Sequence, residues 1–122
     1  MKIRAMDFVR HEVGDLDRAV AFYRDVLGLK LTLFSPEWQW AEFDCGNVTL
    51  ALHSEANPHP GTGGPCLALG VDELEAFHAH LVACGASVGG PPEDHGVCRH
   101  LDVFDPDGNP LILHQRADGT CG

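Results

Sequence analysis

The chain has 122 residues, of which 44% are hydrophobic, so we expect either one compact domain or two half-domains packed together. Its 18 acidic and 8 basic side chains give a formal net charge of -10, which argues against nucleic acid and anionic membrane surfaces as partners. No apolar run approaches the roughly 20 residues that a helix needs to span a bilayer.

The cysteines indicate the compartment. Five of them form an odd set without a Cys-x-x-Cys pair, and the N-terminal residues lack the apolar core of a signal peptide. We therefore predict free thiols in a reducing cytoplasm.

The first module is predicted at residues 1–53 and begins with a strand, because apolar and polar residues roughly alternate over residues 2–13. The pattern then changes to helical periodicity from Leu16 to Leu27. Asp15 is placed to cap this helix, and Gly28 is placed to end it in a left-handed conformation. Turn signals separate three further predicted strands, at residues 29–34, 38–43 and 48–53.

A stretch rich in Pro and Gly, residues 54–64, is predicted to be a linker. The second module, residues 65–116, repeats the order of the first, and residues 117–122 form a tail that we expect to fray. A loop through Gly96 is predicted between a short strand at 86–89 and the strand at 98–104. The elements of the second module are a strand at 65–71, a helix at 72–84, a short strand at 86–89 and strands at 98–104 and 110–115.

An internal repeat supports this organisation. Phe43-Asp44-Cys45-Gly46-Asn47 precedes Leu50-Ala51-Leu52-His53, and Phe104-Asp105-Pro106-Asp107-Gly108-Asn109 precedes Leu111-Ile112-Leu113-His114. The two predicted helices also share the same spacing of apolar residues. The chain is therefore interpreted as a tandem duplication of a βαβββ module, which is an α+β fold.

Two motifs carry a family resemblance: Phe22-Tyr23-Arg24-Asp25-Val26-Leu27-Gly28-Leu29 closes the first helix, and Asp105-Pro106-Asp107-Gly108-Asn109 precedes the last strand. With the repeat, they resemble the vicinal-oxygen-chelate superfamily, which includes glyoxalase I, extradiol dioxygenases and bleomycin-resistance proteins. The resemblance implies two tandem βαβββ modules that form a shared cleft, and a homodimer. It leaves open whether the modules pair within one chain or swap between two.

In metal-dependent members of that superfamily, His, Glu or Gln side chains hold a divalent ion in the cleft. The matching positions in this chain are Phe8, Ala51, Cys66 and Ile112. Only Cys66 could be a ligand, so no metal is expected at the usual positions and no cofactor is predicted. Cys66 is interpreted as a small buried residue. A non-standard divalent metal site remains an alternative, built from His53, His100, Asp102 and His114.

Strand alternation extends the predicted cleft, because residues two apart share a face of a sheet. The predicted ligand-binding residues are Phe8, Arg10, Glu12, Trp38, Trp40, Glu42, Ala51, His53, Cys66, His100, Asp102, Ile112 and His114. Structural interpretations also exist for these residues. The tryptophans could fill space or form a dimer contact, and the acids could be solvated groups at strand edges.

The predicted function is metal-independent binding of a small organic molecule in the cleft, similar to the bleomycin-resistance branch. The acidic charge and the indole rings favour a cationic aromatic ligand. The alternative is a glyoxalase-like lyase, isomerase or dioxygenase that uses a shifted metal site or an acid-base pair, with Glu12, His53 and His114 as candidates. A third hypothesis is a regulatory or scaffolding protein without a ligand.

Overall fold

A computed structural model describes residues 1–2, 7–54 and 66–120. The chain forms two compact units, Met1–Pro60 and Gly61–Gly122, and each contains its own sheet. This arrangement confirms the α+β fold with two similar modules. The module limits stay predictions, because all but the first residue of the predicted linker lies outside the described residues, as do the last two residues of the tail.

The first unit is a four-stranded sheet with one helical segment. Strands β1 and β4 are parallel, and the other pairs are antiparallel in the order β1-β4-β3-β2. A parallel pair needs a crossover connection, and the chain between β1 and β4 includes the helix that serves this purpose. The elements are β1 (Phe8–Glu12), α1 (Leu16–Ala21), a π-helical turn (Phe22–Val26), β2 (Lys30–Ser35), β3 (Trp40–Asp44) and β4 (Thr49–His53).

Both predicted ends of the first helical segment are confirmed. The carboxylate of Asp15 accepts a hydrogen bond from the Arg18 N–H at 3.0 Å, and Gly28 has a φ of 75°. Between them the helix is α only to Ala21, after which the Leu27 N–H donates to the Phe22 carbonyl at 3.0 Å. The continuous helix predicted to Leu27 therefore widens into a π-helical turn.

One face of the first sheet forms the core of the unit. Residues of β3 and β4 on this face lie against the helical segment, and Tyr23 of the π-helical turn packs on Phe43 with ring centroids 5.8 Å apart. His11 of β1 is also buried on this side, since it alternates with Arg10 and Glu12. The opposite face of the sheet is thereby left to carry the polar and aromatic residues. The buried core positions of the strands are Ala41, Phe43, Leu50 and Leu52.

The second unit repeats the plan with a sheet in the order β5-β9-β8-β6 and a short strand, β7, paired to β8. The predicted loop through Gly96 is wrong at Glu93–Asp94, because these residues pair with Arg99 and His100 of β8. No helix in the described part of the chain is long and apolar enough to cross a membrane. The elements are β5 (Leu67–Gly70), α2 (Leu74–Ala83), β6 (Ser87–Val88), β7 (Glu93–Asp94), β8 (Cys98–Phe104) and β9 (Pro110–Arg116).

The start of α2 is held by a residue distant in sequence. The Leu74 N–H donates to the side-chain oxygen of Gln115 at 3.0 Å, and the Gln115 amide donates to the Asp72 carbonyl at 2.6 Å. Glu73, at the N-cap position, makes no side-chain capping bond. A residue of β9 thus caps the start of α2.

Candidate functional site

The strand register places seven of the predicted site residues on the face of the first sheet opposite the core. Arg10 lies beside Ala51, and Glu12 lies beside His53. On the other side of β4, Trp40 pairs with His53 and Glu42 pairs with Ala51. The residues brought together on this face are Phe8, Arg10, Glu12, Trp40, Glu42, Ala51 and His53.

Trp40 is held at one end of this face by three contacts. Its ring lies edge-on to Phe8, with centroids 5.9 Å apart and an interplanar angle of 83°. The imidazole of His53 lies 5.9 Å away on another side. The indole N–H donates to the Glu42 carboxylate at 2.7 Å. The ring is therefore held both by ring contacts and by a hydrogen bond.

A pocket of about 420 Å³ opens beside Trp40, which is a size suited to a small organic ligand. Trp38 lines it but belongs to the turn between β2 and β3, not to β3 as the sequence pattern predicted. Its side chain is 73% exposed, and Gln39 has a φ of 50°, which interrupts strand alternation between the two tryptophans. We call this space the aromatic pocket; it is lined by Leu33, Ser35, Trp38, Trp40 and His53.

Glu12 links two basic groups at the edge of the same face. Its carboxylate lies 3.0 Å from the Arg10 Nε and 3.0 Å from the His53 Nδ1. The carboxylate therefore holds the imidazole in a defined orientation, as an acid-base pair would require. The Arg10 side chain remains 51% exposed, so it is also available to an anion.

The remaining predicted residues lie in the second unit. His100 pairs with His114, and Asp102 pairs with Ile112, across β8 and β9. The interpretation of Cys66 as a buried residue is wrong, because Cys66 is exposed. It directly precedes β5, a strand in which half-buried and exposed residues alternate. The shared cleft, and the ligand-binding role of all thirteen residues, stay predictions.

The four usual metal positions do not fit a divalent ion. Phe8 presents a half-exposed phenyl ring, Ala51 is completely buried, and Ile112 has no ligand atom. One thiolate at Cys66 would leave two or three coordination positions of a zinc or iron ion unfilled. No reaction step is therefore assigned to a metal at these positions.

The structure also brings His100 together with Glu93 and His95, two residues that the sequence pattern missed. In the described residues, Glu93, His95 and His100 have ligand atoms within 4.8 Å of one another. The pattern also missed Leu33 and Ser35, which line the aromatic pocket and lie two residues apart on β2. The Glu-x-His spacing before Gly96 could have identified Glu93 and His95, had this segment been recognised as half of a hairpin.

The thiols of Cys45, Cys66, Cys84 and Cys98 are free, as expected. Burial raises the pKa of the Cys45 thiol above its ordinary value, and the nearby Asp44 carboxylate adds to this effect. Cys45 therefore stays protonated at neutral pH and is a poor nucleophile.

Comparison with known proteins gives the same family from sequence and from structure. The sequence profile of the glyoxalase/bleomycin resistance protein/dioxygenase superfamily matches residues 6–113. A lactoylglutathione lyase of Haemophilus influenzae is 33% identical over 124 residues, covering 90% of this chain and 91% of the lyase.

Solved structures share the fold of this chain. The antibiotic binding protein TnmS3 from Streptomyces sp. CB03234 superposes with a TM-score of 0.81 at 27% identity, covering 96% of this chain and 99% of TnmS3. A lactoylglutathione lyase from Agrobacterium tumefaciens superposes with a TM-score of 0.76 at 24% identity, covering 94% and 96% of the two chains. The second match shows a common fold alone.

Proposed function

The chain belongs to the glyoxalase/bleomycin resistance protein/dioxygenase superfamily, and from that premise we propose that it binds a small cationic aromatic molecule without a metal at the superfamily's usual positions. The observation that carries the proposal is the aromatic pocket, which is lined by Leu33, Trp38 and Trp40. The Trp40 ring is already held in place by its hydrogen bond to Glu42. Small-molecule sites are concave, mostly apolar and largely pre-formed, and they contain a few placed polar groups. The homodimer and the cytoplasmic location stay predictions.

Charge supports a cationic ligand. Glu42 lies against Trp40, and Glu12 lies against His53, so carboxylates flank the rings that a ligand would contact. The face of an indole ring attracts a cation, and the chain's net charge of -10 raises the local concentration of cations. Arg10 is the opposing feature, although Glu12 already pairs with it.

One relative supports the proposal, and another favours an enzyme. TnmS3 is an antibiotic binding protein, and the comparison with it spans nearly the whole of both chains. The Haemophilus influenzae relative is a lyase. The apolar side chains at three of the four usual metal positions favour binding without catalysis over a metal-dependent lyase reaction.

A series of ligands that share one aryl group and differ in charge tests the proposal. Tryptophan fluorescence would be followed during titration with an aryl trimethylammonium compound, its neutral analogue and the corresponding aryl carboxylate. We expect the cation to quench at the lowest concentration and the anion at the highest. Both tryptophans line the pocket, and Trp40 also lies beside the Glu42 carboxylate, which attracts a cation and repels an anion. Tighter binding of the carboxylate would contradict the cationic preference.

One observation favours a second candidate function, acid-base catalysis as a lyase or isomerase. Glu12 contacts the His53 Nδ1 through both oxygens, at 3.1 and 3.0 Å, and His53 lines the aromatic pocket. A carboxylate that orients an imidazole is the arrangement that proton transfer to a bound substrate requires.

The catalytic candidate predicts activity that depends on this pair. Formation or breakdown of lactoylglutathione would be measured on metal-stripped protein, and Glu12→Gln would lower the rate by roughly 100-fold because general acid-base catalysis contributes about that much or more. Glu37→Gln, in the exposed turn, is the matched control. Absence of turnover in the unmodified protein would remove this candidate and leave the binding proposal intact.

A further inference from the structure

We propose that the hairpin formed by β7 and β8 binds one divalent transition-metal ion of the zinc class through Glu93, His95 and His100. These three residues are called the hairpin cluster. They differ from the four positions that the superfamily ordinarily uses, and they share no residue with the aromatic pocket. Either proposal can therefore fail without the other.

The backbone of the hairpin directs the three side chains to one side. Glu93 pairs with His100 across the two strands. His95 follows Glu93 by two residues, which in extended chain returns to the same face. The turn is fixed by two bonds: the His95 N–H donates to the Cys98 carbonyl at 2.9 Å, and the Gly96 N–H donates to the Asp94 carboxylate at 2.8 Å.

The ligand atoms are already close to the spacing of a metal site. His95 and His100 stack with ring centroids 4.9 Å apart, and His95 Nε2 lies 2.8 Å from His100 Nδ1. The Glu93 Oε2 lies 3.3 Å from His100 Nε2 and 4.0 Å from His95 Nε2. An imidazole gives one nitrogen to an ion, and with one atom from each residue the three ligand atoms lie within 4.8 Å of one another. Bonds of about 2.0–2.2 Å to a tetrahedral ion place its ligand atoms roughly 3.2–3.6 Å apart, so side-chain rotation must bring the Glu93 carboxylate toward His100 Nδ1, the nitrogen that lies beside His95.

The chemistry of the donors selects the class of ion. Two imidazoles and one carboxylate suit zinc, nickel, copper and cobalt, whereas calcium and magnesium prefer all-oxygen sites. Three protein ligands leave a fourth position for water or for a donor from another molecule. The half-exposed side chains of Glu93 and His95 give solvent access to that position.

Asp102 lies next to the hairpin cluster, beside His100. Its Oδ1 lies 3.6 Å from His100 Nε2, which is the nitrogen left off the ion when His100 binds through Nδ1, so this carboxylate can orient the metal-binding imidazole. The position of Asp102 is in turn restricted by Gly89, whose N–H donates to the Asp102 carbonyl at 2.8 Å. A Cβ atom at Gly89 would lie 2.9 Å from the Asp102 Cβ, so any larger residue there must displace Asp102.

Zinc titration of the metal-stripped, untagged full chain tests the proposal. Calorimetry would give the stoichiometry and affinity, and proton–nitrogen correlation spectra of the imidazoles would identify the ligands separately from the thiols. We expect one zinc ion per chain, with the ring signals of His95 and His100 shifting together. Saturation without shifts in these two rings would place the zinc on other ligands and overturn the proposal, as would failure to bind zinc.

Variants separate ligands from supporting residues. We expect His100→Ala to weaken zinc binding at least roughly 100-fold, and Gly89→Ala to weaken it roughly 10- to 100-fold through Asp102. His95→Ala, in the exposed turn, provides the same test if His100→Ala fails to fold. His78→Ala on α2 is the matched control and should leave the affinity unchanged. Equal zinc affinity in all four variants would overturn the assignment.

Discussion

Replacing Trp40 by alanine should weaken binding of a cationic aromatic compound at least about tenfold, which corresponds to roughly 1.4 kcal/mol. The indole is held by Phe8, His53 and Glu42, so the free protein has already ordered the ring that a ligand would stack on. Cation-π attraction alone contributes about 0.5–2 kcal/mol at a well-placed ring. Ligand affinity would be measured by calorimetry, because the substitution removes one of the two fluorescent reporters.

Neighbouring residues on β2 provide the controls for Trp40. Leu33 lines the aromatic pocket, whereas Phe34 lines a different surface, and the two are exposed to similar extents, 47% and 41%. Leu33→Ala should therefore weaken binding and Phe34→Ala should not. Raised salt should weaken binding to the unmodified protein, since attraction between exposed charges is screened within about 8–10 Å. Equal losses in Leu33→Ala and Phe34→Ala would contradict binding in this pocket.

Replacing Asp105 by alanine should lower the free energy of unfolding by roughly 2–4 kcal/mol. One oxygen of this buried carboxylate accepts N–H groups from Asp107 at 2.9 Å and Asn109 at 2.8 Å, and the other accepts the Asn109 side-chain amide at 2.9 Å. Alanine would leave those donors without this partner in a buried turn. Urea unfolding followed by circular dichroism measures the loss.

The internal repeat offers a matched control for Asp105. Asp44 occupies the equivalent place in the first module, but it is exposed and accepts the Gly46 N–H at 2.7 Å in contact with water. Asp44→Ala should therefore cost about 1 kcal/mol or less. A similar loss in both variants would show that the depth of burial does not determine the contribution of this turn.

Predictions from the sequence were most accurate for features that are determined by neighbouring residues. The Asp15 cap, the left-handed Gly28 and the alternation that puts Trp40 and Glu42 on one face depend on neighbours along the chain, and the structure confirms all three. The repeat added the organisation into two similar modules, because two copies of one module are expected to fold alike. These features were sufficient for the fold and for most of the first-sheet face.

Features that depend on distant partners were missed. Gln115 caps α2 from a strand more than forty residues away, and no local pattern marks it. Strand β7 exists because it pairs with β8, although its own sequence indicates a loop. Trp38 lines the aromatic pocket from a turn, which an alternation rule cannot place. Sequence reasoning therefore named Trp38 as a site residue but assigned it to a strand instead of a turn.

The most direct measurement is calorimetric titration of the metal-stripped, untagged protein with an aryl trimethylammonium compound and with the matching aryl carboxylate, each with and without a chelator. We expect the cation to bind with the same affinity under both conditions and more tightly than the carboxylate, and to bind at least about tenfold more weakly to Trp40→Ala. Preferential binding of the carboxylate, with an affinity that falls in Arg10→Ala and not in Trp40→Ala, would contradict the proposed function. So would binding that appears only after a metal is added.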